Sequence, residues 1–99
     1  MKGLLIGVAG YIGNVPAILR FRNFRIVIFP NDHTPAHIHA IGPDVAAIFT
    51  LNCWRGPVVR RSSDQTKLAD ERALLQFVSD NLEVLCKAWE TIHGDPTRT

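Results

Sequence analysis

An α+β fold is what this 99-residue sequence predicts: a small antiparallel sheet of about four strands with one long C-terminal helix packed across one face. Three observations carry that expectation. Apolar and charged residues alternate through the first half of the chain. Short turn-forming links separate the alternating runs. Near the end, apolar residues recur every three or four positions. Strand side chains alternate between faces, whereas helical ones return to the same face after about one turn.

Pro16 to Phe29 read as a β-hairpin. Leu19 and Phe21 alternate with Arg20 and Arg22, and Phe24, Ile26 and Ile28 alternate with Arg25, Val27 and Phe29. Asn23 lies near the turn, where asparagine tolerates positive φ. Pro30-Asn31-Asp32 then punctuates the chain. Pro35 pushes Thr34 toward an extended conformation, and His37 to Ile41 form a third strand. Gly42-Pro43-Asp44 turns the chain into a fourth strand, Val45 to Leu51, and the order of strands predicts a meander. Asn52 to Thr66 reads as irregular and polar, with Val58 and Val59 able to add a short strand.

The terminal helix is placed at Leu68 to His93. Leu75, Val78, Leu82, Leu85, Trp89 and Ile92 share one stripe, widened by Leu74, Phe77, Val84 and Ala88. Asp70 and Glu71 suit the positive end of the helix dipole, and His93 suits the negative end. Gly94 and Pro96 stop the helix.

Bulk properties bound the answer. Residues 16–94 form one domain, residues 1–15 are a leader or appendage, and residues 95–99 are a flexible tail. Apolar content of 46% and charged content of 20% are ordinary for a soluble globular chain. A net charge of +2 does not by itself imply a nucleic-acid partner. The apolar stretch after Lys2 is too short to span a bilayer, so no membrane association is expected. Cys53 and Cys86 lack the spacing of a disulfide framework or a structural zinc site. Reduced thiols in a cytoplasmic protein are therefore the default, and Cys86 beside the apolar stripe reads as buried and inert. A core this modest leaves room for a partner subunit, and an exposed hairpin edge allows a homodimer.

The run Asp32-His33-Thr34-Pro35-Ala36-His37-Ile38-His39 holds three of the four histidines. His37 and His39 lie two apart on a strand, so their rings share a face. Asp32 and His33 precede the strand on a turn able to fold back. Such a set, Asp32, His33, His37 and His39, suits a divalent metal such as zinc. The same three histidines also suit metal-free acid/base catalysis or phosphate binding. In the third reading they simply line a polar sheet face and satisfy neighbouring groups. Arg20, Arg22, Arg25, Arg60 and Arg61, with Arg55, offer planar forks for phosphate or RNA. Their alternative is a solvated strand face kept charged against edge-to-edge aggregation.

The run from Asn31 to His39 resembles the signature of a bacterial family, domain of unknown function 4160, which reads acidic–His–x–Pro–Pro–His–aromatic or aliphatic–His. The likeness extends from the hairpin start at Pro16 to the terminal helix, with Trp89 as its other specific part. Ala36 replaces the second proline, the leader lies outside the pattern, and Cys53 to Lys67 is hard to match. The resemblance implies a small cytoplasmic protein of unassigned activity in toxin–antitoxin-like gene neighbourhoods. It also implies a small protein partner encoded nearby and RNA as a target.

Overall fold

The computed structural model describes residues 15–64 and 68–99. Of the leader expected over residues 1–15, all but Val15 lies outside the described residues.

Five strands form one antiparallel sheet in sequential order: β1 (Leu19–Phe21), β2 (Phe24–Val27), β3 (His37–Ile41), β4 (Ala46–Thr50) and β5 (Val59–Asp64). Two helices follow, α1 (Leu68–Asp80) and α2 (Leu82–His93). The class is α+β, as the alternation and periodicity predict, with the meander intact.

The core lies between one sheet face and the helices. Phe24, Ile26, Ile38, Ala40, Ala47 and Phe49 supply the sheet side, and Leu74, Val78, Leu85, Cys86 and Trp89 supply the helical side. The register puts Ile26, Ala40 and Ala47 in one row across β2, β3 and β4. The neighbouring row, Val27, His39 and Ile48, points to the opposite face.

Three expectations need correction. The stretch read as irregular and polar contains β5; it begins at Val59, within the short strand that Val58 and Val59 allow, and runs on to Asp64 through residues with no apolar alternation. It pairs with β4 through a bulge at Arg61, between the partnered pairs Ile48–Ser62 and Phe49–Arg60. The single long helix is two. Asn81 breaks it: its side-chain amide donates to Phe77 O at 2.8 Å, a local bond that competes with helix continuation. The apolar stripe carries on across the break at Leu82 and Leu85, so periodicity alone does not register the interruption. Two stripe members, Val84 and Ile92, are exposed.

The cysteines are the third correction. Cys53 and Cys86 form a disulfide, with Cα atoms 5.9 Å apart, across 33 residues of sequence. That pairing removes the free-thiol argument for a cytoplasmic location. It ties the loop after β4 to the middle of α2. Among the described residues, no helix is long and apolar enough to cross a membrane.

Smaller features behave partly as expected. The left-handed residue of the first hairpin turn is Arg22, with φ 56°, rather than Asn23. Gly94 ends α2 at φ 93° and ψ −155°, a region essentially restricted to glycine. In residues 95–99, the Asp95 carboxylate accepts from Thr97 N at 2.9 Å, and Pro96 is buried.

Candidate metal centre

The site is assembled from the turn after β2 and the start of β3. Phe29 and Asp32 close the turn reciprocally. Asp32 N donates to Phe29 O at 3.1 Å, and Phe29 N donates to the Asp32 carboxylate at 2.8 Å through Oδ2. The second carboxylate oxygen, Oδ1, is left to face β3. His39 Nε2 lies 3.2 Å from it and His37 Nε2 lies 3.5 Å from it.

The tautomer of His37 follows from its other nitrogen. Nδ1 is 2.9 Å from Pro35 O, and a carbonyl can only accept, so Nδ1 carries the hydrogen. In the neutral ring, Nε2 then presents a lone pair to a carboxylate oxygen. Two electron-rich atoms at that distance are reconciled by a proton on Nε2 or by a cation between them. A backbone carbonyl bonded to the distal nitrogen also commonly orients a metal-bound imidazole.

Two of the three separations fit an ion directly, and the two imidazole nitrogens, within 4.8 Å of each other, would draw together on binding one. Bonds of about 2.0–2.1 Å in a tetrahedral site separate neighbouring ligand atoms by roughly 3.3 Å. The two nitrogen–oxygen separations, 3.2 and 3.5 Å, bracket that value. All three ligand atoms of Asp32, His37 and His39 lie within 4.8 Å of one another. Two imidazoles and one carboxylate leave further coordination positions open, the pattern of reactive rather than sealed sites.

Access is from one side. The side chains of His37 and Asp32 are 6% and 12% exposed, against 19% for His39. His39 therefore forms the edge that meets solvent. Burial pushes its pKa below the ordinary 6.5. Asp32 opposes that through its charge and hydrogen bond, while the neighbouring His37 ring and the Arg61 charge reinforce it. A ring kept neutral near physiological pH is ready to act as a ligand.

Aromatic rings enclose the cluster. Phe29 meets His39 edge-on at 4.8 Å between centroids, and His37 meets His39 at 5.1 Å and Trp89 at 5.3 Å. Trp89 is fully buried, and its Nε1 has no hydrogen-bond partner among the described residues.

The structure sorts the remaining predicted residues. His33 is exposed and stands outside the converging group of Asp32, His37 and His39. The arginines differ in their partners. Arg22 pairs with Asp70 and Arg60 with Glu71, each at 3.3 Å, binding the β1–β2 turn and β5 to the first turn of α1. Arg20 and Arg25 are opposite each other in the register, and Arg25 donates to Val15 O at 2.7 Å. Arg61, displaced by the bulge, puts its charge near His39. Sequence reasoning missed Phe29 and His93. His93 bonds Phe29 across 64 positions, which no local pattern reveals.

A two-histidine, one-carboxylate cluster carried on a five-stranded meander under two helices defines a small α+β protein with a candidate metal centre. The chain belongs to the family described as domain of unknown function (DUF4160), whose model matches residues 23–90. That span contains the whole histidine segment and Trp89. Neither a curated protein nor a solved structure matches the chain.

Proposed function

We propose that Asp32, His37 and His39 hold a divalent first-row metal ion, zinc by ligand type, and that the loaded site acts on RNA phosphodiesters. The observation that carries this reading is the convergence of two imidazole nitrogens and one carboxylate oxygen within 4.8 Å. The tie from His37 Nδ1 to Pro35 fixes which nitrogen faces inward. A bound divalent ion would acidify a water and polarise a phosphoryl oxygen. Arg61, beside His39, would hold the phosphate through its planar fork, with Arg20 further along the sheet. Exposed His33 would serve as a proton donor to a substrate arriving from solvent. In this reading the protein is the RNA-acting half of a toxin–antitoxin-like pair, with a small protein as its counterpart.

The test uses tag-free protein, prepared metal-free and reloaded with zinc or manganese, incubated with single-stranded RNA. Cleavage is expected from the loaded protein, lost with a chelator and lost in Asp32→Asn and His39→Ala. Intact RNA with fully loaded protein contradicts the RNA reading.

One observation favours a second reading. Asp32 and His37 are nearly sealed from solvent, which suits a metal that fixes the fold of a protein-interaction module. There, Asp32→Asn lowers the melting temperature and weakens partner association, and RNA is untouched throughout.

A further inference from the structure

Phe29 is the hinge of the cluster. Its N–H orients the Asp32 carboxylate, its ring abuts His39, and its carbonyl accepts from Asp32 N. The same carbonyl lies 3.0 Å from His93 Nε2, at the end of α2. Since the carbonyl can only accept, Nε2 carries the hydrogen. The His93 ring also packs on Trp89, centroids 4.3 Å apart, and Trp89 in turn meets His37. The contacts therefore close a circuit: His93 to Phe29, Phe29 to Asp32 and His39, His39 to His37, His37 to Trp89, and Trp89 back to His93.

We propose that His93 is a positioning residue that sets the Asp32 and His39 ligand atoms by anchoring Phe29 to the second helix. A helix-dipole role would require only a positive charge near the last turn. The observed geometry is more specific: one directed hydrogen bond to the carbonyl of the residue that orients two of the three ligands. Without that donor, the Phe29–Asp32 turn keeps its internal bonds and loses its tether to α2. Asp32 Oδ1 and His39 Nε2 then sample wider separations, and an ion held by both is bound more weakly. This consequence for binding rests on the metal reading above.

Two variants isolate the hydrogen bond. His93→Leu keeps bulk against Trp89 and removes the donor. His93→Gln keeps a donor, because its amide nitrogen falls where Nε2 stood. Cobalt(II) titration of metal-free protein, read by its visible absorption, should show affinity reduced about 10- to 100-fold in His93→Leu, the range for loss of an outer-shell partner. His93→Gln should restore both the affinity and the band positions. In metal-free protein, ring ¹⁵N shifts of His37 and His39 should move in His93→Leu and return in His93→Gln. Folded His93→Leu with wild-type ring shifts overturns the proposal, as does His93→Gln behaving like His93→Leu in a folded state. If the wild type takes up no cobalt, the metal reading fails, and the ring shifts alone decide the positioning role.

Discussion

Asp32 uses both carboxylate oxygens for different tasks, and substitution there separates them. Oδ2 closes the turn onto Phe29 N, while Oδ1 faces the two imidazoles. Asp32→Asn keeps the shape, removes the charge and should lower metal affinity at least about tenfold to a hundredfold, the cost known for outer-shell partners alone. Competition with a chromophoric chelator measures it. His39 gives a prediction in pH. Its folded-state pKa is depressed below 6.5 by burial, so the folded state favours the neutral ring. The associated stability is fully present above 6.5 and is lost as pH falls through 6.5 toward the folded value. An NMR titration of the His39 ring should show a midpoint below 6.5 in metal-free protein; a midpoint above it contradicts the burial argument. At this scale the sequence was partly legible. The His-x-His spacing on a strand put His37 and His39 on one face, and a turn brought Asp32 back to them. His33, equally near in sequence, stays exposed because the turn that directs Asp32 inward leaves its neighbour outside. His93 was illegible, since its partner Phe29 is brought close only by the packing of α2.

The strands, helices and the loop clamp differ in how plainly they could be read. The sequence bounds of β3, His37 to Ile41, match the structure because half-burial enforces period-two alternation. Only the start of β5, at Val59, is legible, because a polar edge strand needs no such pattern: its pairing with β4 supplies the order. Asn81 breaks the helix without disturbing the stripe, so only the competing side-chain bond reveals the break. The disulfide has no sequence signal at all, because two cysteines 33 positions apart meet only in the fold. Closing a loop of that length stabilises by about 3–4 kcal/mol through lost unfolded-state entropy. Urea unfolding should show a loss of this order in Cys53→Ala or under a reductant. In the core, Phe49 on β4 is fully buried, and Phe49→Ala should cost about 3–5 kcal/mol. Equal urea midpoints for wild type and either variant contradict these packing assignments.

For the whole molecule, the ligands come from one turn and one strand, while part of their support comes from α2, so ion binding and folding are linked. An ion that binds only the folded chain stabilises it by about 2.7 kcal/mol at a hundred times its dissociation constant. A domain of this size should then melt roughly 10–20 °C higher when loaded. A melting curve unmoved by zinc argues against the linkage. Calorimetric titration of tag-free, metal-free protein with zinc tests the central claim most directly. One ion per chain should bind to the wild type, with binding abolished in the Asp32→Asn, His39→Ala double variant. No heat from the wild type, or the same stoichiometry and affinity in the folded double variant, would contradict a metal centre at Asp32, His37 and His39.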